Sequence, residues 1–218
     1  MTIYKIPSLY FFKGSDSILT FAEIWRMILP IVAYGDPVLR KEGIDIAADY
    51  PGLEKLIDDM FETMYNAHGV GLAAPQIGKA IRLFIVDTSG FAEEGEEDTE
   101  GLKDFKKVFI NAEIVEEDGD DFSFNEGCLS IPDVRGDVDR PERIIIRYFD
   151  QDWKEHTETY EGLKARVIQH EYDHIDGILF TDYLSPLRKN MIKKKLKNIS
   201  KGQIQIGYRM KFPLAKWD

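Results

Sequence analysis

The 218-residue chain carries 39 acidic and 28 basic side chains, a formal net charge of -11, with 44% of its residues hydrophobic and 31% charged. That length suits one well-cored domain, or a domain with an extension, and the composition excludes wholesale disorder. The single cysteine, Cys128, excludes an intrachain disulfide and fits a reducing cytoplasm, and no apolar run approaches the length of a membrane-spanning helix.

Residues 1–26 resist assignment. Residues 18–29 are apolar enough for a short helix, but Glu23 and Arg26 interrupt it and no small-residue cleavage site follows, which argues against a secretory signal. Tyr34-Gly35-Asp36-Pro37 reads as a turn, with Pro37 supplying its fixed φ. After Pro51-Gly52, the positions Leu53, Leu56, Ile57, Met60 and Met64 fall on one helical face, with Glu54, Asp58, Asp59 and Glu62 elsewhere. This is an amphipathic helix packed on a core. It runs out at His68-Gly69. Val70-Gly71-Leu72-Ala73-Ala74-Pro75-Gln76-Ile77-Gly78 then reads as a Gly-rich connection whose backbone can approach something closely and whose one amide side chain is Gln76. His68 reads as a surface group beside it rather than a ligand.

Residues 81–86 and 108–115 read as strands, separated by an acidic segment, 91–104, with the composition of a loop insertion. A second acidic cluster follows at Glu116, Glu117, Asp118, Asp120 and Asp121. In Asn125-Glu126-Gly127-Cys128-Leu129-Ser130-Ile131-Pro132 the cysteine lies between a glycine and a short apolar run, a setting that a buried structural cysteine would share. Residues 143–149 and 153–160 are β-rich, with a hairpin turn at Asp150-Gln151-Asp152. A helix starts near Glu161 or Gly162, carries Leu163, Val167, His170 and His174 as its inward stripe, and ends at Gly177. Pro186 opens a basic helix through Lys197 whose packed edge is Ile192 and Leu196. From Tyr183 to Trp217 there is no acid. An acidic body with a basic tail suggests contact with a polyanion such as RNA; a solvated, lysine-rich helix face accounts for it equally well.

The chemistry concentrates in Gln169-His170-Glu171-Tyr172-Asp173-His174, an H-E-x-x-H sequence inside a helix. His170 and His174 are one turn apart and point from one face, so both imidazoles can reach one divalent metal while Glu171 sits beside them as a base. Catalytic sites of this kind use three protein ligands and keep a position open. No histidine follows His174 and no glutamate follows Glu171, so the downstream third ligand usual in metallopeptidases is missing. Of the later carboxylates, Asp176 is too close along the helix to close the site comfortably. The third ligand therefore lies upstream, and Cys128 is the leading candidate.

With Gly-Val-Gly-Leu-Ala-Ala-Pro-Gln at 69–76, Glu-Gly-Cys-Leu-Ser at 126–130 and Gln-His-Glu-Tyr-Asp-His at 169–174, the chain resembles the peptide deformylases. The resemblance runs from about Met27 to about Lys197. It leaves residues 1–26 as an extension of unassigned role and 27–218 as the catalytic domain with its basic C-terminal helix and tail; translation starting at Met27 is one explanation. The resemblance implies an α+β fold, with antiparallel sheets around the central metal-binding H-E-x-x-H helix and a further C-terminal helix. It implies a cytoplasmic enzyme that removes the formyl group from N-formylmethionine of nascent polypeptides, releasing formate. It also implies one divalent metal, Fe(II) by preference, with Zn(II), Ni(II) or Co(II) accepted, since thiolate and imidazole suit several ions.

Carried over onto this sequence, the resemblance implies that Cys128, His170 and His174 hold the metal and that Glu171 moves the proton. It gives the oxyanion to the backbone N–H of Leu129 and the amide of Gln76, and the substrate backbone to Gly71. Val70, Phe124, Glu126, Leu163, Arg166 and Val167 fall at the methionine pocket, Arg135 at a peptide-backbone contact, and Arg140 at an ion pair with Glu126. An arginine in an apolar slot stands out: Arg166 either turns its stem to the slot and its head to water, or changes specificity. The basic stretch 188–197 resembles a helix that docks some members on the ribosome, and no membrane or DNA partner is expected. Two other readings stand beside this one. A metallopeptidase is disfavoured by the missing downstream ligand, and a noncatalytic zinc-stabilised RNA-binding module would need a fourth protein ligand.

Overall fold

In the computed structural model, residues 27–90 and 101–215 are described. The elements run β1 (Ile31–Val32), α1 (Leu53–Asn66), β2 (Gly71–Ala73), β3 (Leu83–Asp87), β4 (Lys106–Cys128), β5 (Ile131–Phe149), β6 (Glu155–Glu161), α2 (Gly162–Ile175), α3 (Pro186–Ser200) and β7 (Met210–Lys211). This is the expected α+β class. Most of the expected helix at 18–29, and the acidic segment up to residue 100, lie outside the described residues; residues 101–104 form turns. Among the described residues no helix is long and apolar enough to cross a membrane.

Strands β2-β3-β4-β5-β6 form one antiparallel sheet in that order. The two-stranded sheet of β1 and β7 is parallel, a departure from the all-antiparallel expectation. β4 and β5 are far longer than the strands expected at 108–115 and 143–149. They continue as a hairpin through the acidic cluster to Cys128 and Ile131, which pair across its tight turn. Between Val115 and Asp121 the ribbon is exposed on nearly every residue, so the apolar alternation that reveals a half-buried strand is absent there. Cross-strand ion pairs, Arg147 with Glu113 and Arg143 with Asp118, replace it. Register shifts after Ile110, Ile114, Asp118 and Gly127 bend the hairpin and carry its tip toward the helix.

Helix α2 forms because Gly162 starts it at φ +58 and Gly177 stops it at φ +73. Its end is a Schellman arrangement: Ile178 N–H donates to Asp173 O at 2.8 Å and Gly177 N–H to His174 O at 3.3 Å. Every residue from Ala165 to Glu171 is buried. The inward stripe expected from sequence is thus one side of a helix covered almost all round, with Leu163 only half-buried. α1 packs Met60 and Met64 against Leu83 and Ile85 in one apolar cluster, and α2 packs Ile168 and Ile175 against Phe84, Ile144 and Ile146 in a second. α3 opens on Ser185, whose side chain caps Arg188 N–H, and buries Ile192, Leu196 and Ile199 in a third cluster with Val134 and Val138.

Candidate metal centre

Cys128 is the last residue of β4, and the bulge between Gly127 and Cys128 presents it to the second half of α2, where His170 and His174 lie. Its Sγ lies 3.1 Å from His174 Nε2, and the donor atoms of Cys128, His170 and His174 all lie within 4.8 Å of one another. Among the described residues this is the one cluster of side chains able to hold a metal ion. The expected trio is therefore assembled in space from residues 46 positions apart. His170 Nδ1 is held by Glu126 Oε2 at 2.8 Å, which leaves Nε2 for the Cys128 side. Two imidazoles and a thiol with one side open to a cleft is the donor set of a three-ligand catalytic metal site.

The electrostatics fit a cation. Burial resists charge on His170, yet hydrogen bonds to Cys128 and Glu126 raise it well above its ordinary value, so the position attracts positive charge. Burial, followed by the charges of His170 and Arg140, depresses His174 well below the ordinary value and keeps it a neutral ligand. Glu126 is the hub behind them. It accepts from Arg140 Nε at 2.7 Å and Arg166 Nη1 at 3.0 Å as well as contacting His170. Against the desolvation imposed by burial, the bonds from His170 and Arg140 hold its carboxyl far below the usual carboxylate range. The Arg140–Glu126 ion pair expected from sequence is thus present.

Glu171 is buried, and its Oε2 has no hydrogen-bond partner. Burial pushes its carboxyl up to about 7, with Glu126 and Asp173 adding to the shift and His170 opposing it. Gly71 packs on it so closely that a Cβ there would lie 2.7 Å from Glu171 Cδ and Cγ. Residues 70–78 are more than a connection. Gly71–Ala73 is the edge strand of the sheet, and Ala74–Ile77 is a 3-10 turn carrying Gln76. Gln76 Oε1 accepts from Ala73 N–H at 2.7 Å, which orients its Nε2 toward Cys128 Sγ at 3.5 Å.

These side chains line a cleft of about 770 Å³, with Val70, Gly71, Gln76, Phe124, Glu126, Leu129, Arg135 and Val167 in its walls. That size lies within the ~300–1,000 Å³ of small-ligand sites. Leu163, expected in the same pocket, sits in the first turn of α2 and is not among the described residues of the wall. Arg135 is at the rim, held by Asn125 Oδ1 at 2.8 Å. His68 lines the cleft outside the metal cluster.

Arg166 corrects the first of the two alternatives read for it. Its head does not reach water: the residue is 1% exposed, and the guanidinium bonds Glu126, Val138 O at 2.7 Å and Phe122 O while stacking 4.3 Å over the Phe122 ring. A guanidinium therefore closes one side of the cleft beside Phe124.

Sequence reasoning missed Ile206 and Tyr208, which also line the cleft. The signal was available. From Ile204 to Met210 apolar and polar residues alternate strictly, the pattern of an extended segment with one packed side, but the basic charge of the region masked it.

Residues 28–190 match the family model described as polypeptide deformylase. The chain is similar to the peptide deformylase of Christiangramia forsetii, 61% identical over 193 residues that cover 87% of this chain and 98% of that one. It is similar also to the peptide deformylase of Flavobacterium johnsoniae, 58% identical over 193 residues and the same shares. The fold matches a crystal structure of a peptide deformylase from Legionella pneumophila with a TM-score of 0.70 at 41% identity, covering 81% of this chain and 97% of that chain.

Proposed function

Because this chain belongs to the polypeptide deformylase family, we propose a set of roles for its cleft residues in the reaction of that family. The chain is a hydrolase of protein biosynthesis that removes the N-formyl group from nascent polypeptides. The observation that carries the assignment of roles is the convergence of Cys128, His170 and His174 beside the open oxygen of Glu171.

Cys128, His170 and His174 hold one divalent metal, Fe(II) in the cell, in a donor set that also suits Zn(II), Ni(II) and Co(II). When bound, such an ion supplies Lewis acidity, lowering the pKa of water from about 15.7 to roughly 7 and polarising a carbonyl. Glu171 takes a proton from the attacking water at Oε2 and holds it in a site whose burial favours the protonated form. It then delivers that proton to the leaving amine nitrogen, so the products are formate and a free amino terminus. Gln76 Nε2 and the Leu129 N–H donate to the oxygen that becomes negative as the formyl carbon turns tetrahedral.

The substrate is held on two sides. β2 is an edge strand whose Ala73 N–H is taken by Gln76, so the N–H and C=O groups of Gly71 are the ones that pair with an extended peptide. Val70, Phe124, Glu126, Arg166 and Val167 form the slot for the methionine side chain, and Arg135 meets the peptide at the rim. Residues 27–218 act as the catalytic domain without help from residues 1–26. The enzyme works in the reducing cytoplasm, where a thiol ligand survives. The exposed lysines of α3, with Leu187 and Met191 exposed beside them, dock on the ribosome.

Formate release from formyl-Met peptides, followed anaerobically with Fe(II) and aerobically with Zn(II), tests reaction and metal together. Release is expected with both, faster with Fe(II). No formate under either condition, or cleavage of internal peptide bonds in its place, would overturn the reading.

A further inference from the structure

We propose that residues 202–211 form a wall of the substrate cleft, with Ile206 meeting the peptide downstream of formylmethionine and Tyr208 holding the segment in place. The proposal rests on the deformylase reading above. It concerns a stretch that begins after residue 190, where the match to the family model ends.

The segment is tied down on both sides of Ile206. Ile204, Ile206, Tyr208 and Met210 are half-buried while Gln203, Gln205, Gly207 and Arg209 are exposed, so the segment, which bends at Ile204 and again at Gly207 and Tyr208, keeps one side inward. Ile204 packs in the cluster that also takes Cys128. Tyr208 packs against the cluster of α1, and its hydroxyl donates to Leu129 O at 2.7 Å. Beyond it, Ile31 N–H donates to Arg209 O and Ala33 N–H to Lys211 O, each at 2.9 Å, which pairs β7 with β1. Ile206 alone among the four inward residues is packed in none of the apolar clusters, yet it lines the cleft. An apolar side chain held between three anchors and left facing a cavity is placed for contact with a ligand.

The chemistry of the substrate says which part it meets. A formyl group ends its chain, so on that side of the scissile bond the cleft needs room for one carbon and one oxygen. The methionine slot is closed by Phe124, Arg166 and Val167. The rest of the roughly 770 Å³, walled by Leu129, Pro132, Asp133, Ile206 and Tyr208, is left for the residues after methionine. Ile206 therefore favours apolar side chains at the second or third residue, by burying them. Tyr208 is a positioning residue. Its hydroxyl binds the carbonyl of Leu129 and so fixes the tail to the turn that also carries the cysteine.

The test compares wild type, Ile206→Ala and Tyr208→Phe, each loaded with metal, on a formyl-Met tripeptide with apolar second and third residues and on formyl-Met amide. The readout is the ratio of the two kcat/KM values, which a general loss of structure leaves in place. Both variants are expected to lower the tripeptide preference roughly 3- to 10-fold, through KM, the effect of losing part of an apolar contact. Ile206 is half-exposed and makes no hydrogen bond that the fold depends on, so the outcome rests on Ile206→Ala if Tyr208→Phe proves unstable. An unchanged ratio in an active Ile206→Ala enzyme would overturn the proposal alone. No formate release by the wild type from either substrate would overturn the deformylase reading and the proposal with it.

Discussion

Glu126 Oε2 lies 2.8 Å from His170 Nδ1, and this contact decides which nitrogen of the imidazole faces Cys128. The same carboxylate neutralises two buried guanidinium groups, those of Arg140 and Arg166. Partners that orient a ligating histidine typically affect metal affinity about 10–100-fold when removed. Glu126→Gln is therefore expected to lose metal that much more readily on dialysis against a chelator. It is also expected to unfold earlier, because breaking a buried ion pair costs about 3–5 kcal/mol. Metal content and thermal unfolding check both, and a variant that retains metal like the wild type would contradict the role given to the carboxylate.

Glu171→Gln separates proton transfer from metal binding. The amide fills the same space but cannot hold the proton, while Cys128, His170 and His174 are untouched. General acid–base catalysis contributes about 10²–10⁴-fold, and formate release should fall by that factor with metal content preserved. Equal turnover at equal metal content would remove Glu171 from the mechanism.

The helices were legible in the sequence because each carries its own punctuation. Gly162 and Gly177 bracket α2, Pro186 opens α3, and Pro51-Gly52 precedes α1. The metal trio was legible by elimination, since the chain after His174 has neither His nor Glu. What sequence could not show depends on long-range placement. The hairpin arms through Glu116–Asp121 are exposed on both faces and so carry no alternation, and their strand pairing is fixed by partners across the ribbon such as Arg143 and Arg147. The burial of the Arg166 head was not legible, and both alternatives for it stood, because its anion, Glu126, is 40 positions away in sequence. The alternation from Ile204 to Met210 was visible as a pattern, but what the segment covers is set by β1 at the other end of the chain.

Arg166→Leu tests the cationic side of the slot. Glu126 keeps Arg140 and His170, so the carboxylate is not stranded, and the loss of stability should be smaller than for breaking an isolated buried pair, about 1–3 kcal/mol. Removing the guanidinium from its stack on Phe122 makes the slot wider and takes away its cationic side. The ratio of kcat/KM for formyl-Met over formyl-norleucine peptides should fall, because the arginine's N–H groups can favour the thioether sulfur and not a methylene. An unchanged ratio would show that Arg166 supports the wall without reading the side chain.

Acid should unfold this protein partly through Glu158. Its Oε2 accepts from Lys107 Nζ and Tyr148 Oη, each at 2.6 Å, and from Tyr160 Oη. Burial works against ionisation, but these bonds outweigh it and hold the carboxyl down at about 2, from 4.5. A depressed folded-state pKa means that the unfolded chain binds more protons in that window. The stabilisation is complete above about pH 4.5 and is lost as the pH falls toward 2. The side chain is about one third exposed, so solvent screening keeps the effect below about 1 kcal/mol. Glu158→Gln should narrow the difference in Tm between pH 6 and pH 3 by about 1–3 °C. An identical difference in the two proteins would assign the acid sensitivity elsewhere.

Gly71 and Gly69 make a paired test of how tightly the base is held. A Cβ at Gly71 would meet Glu171 Cδ and Cγ at 2.7 Å, and both residues are buried, with β2 fixed against β3 by the pairing of Gly71 with Val86. Neither side can retreat, so Gly71→Ala must displace the Glu171 carboxylate or bend the edge strand. Overpacking of this kind costs about 1–3 kcal/mol, and a misplaced base lowers the rate of a chemical step by up to about 10²-fold. A Cβ at Gly69 meets Leu129 Cδ1 at 2.8 Å, the far end of a half-buried side chain that can rotate away. Gly71→Ala should therefore lose most of its kcat with metal retained, while Gly69→Ala keeps most of its kcat and raises KM through the shifted Leu129 side chain. Steady-state kinetics on a formyl-Met peptide decide it, since equal losses of kcat in the two variants would mean that the strand, and not the packing on Glu171, is what each glycine protects.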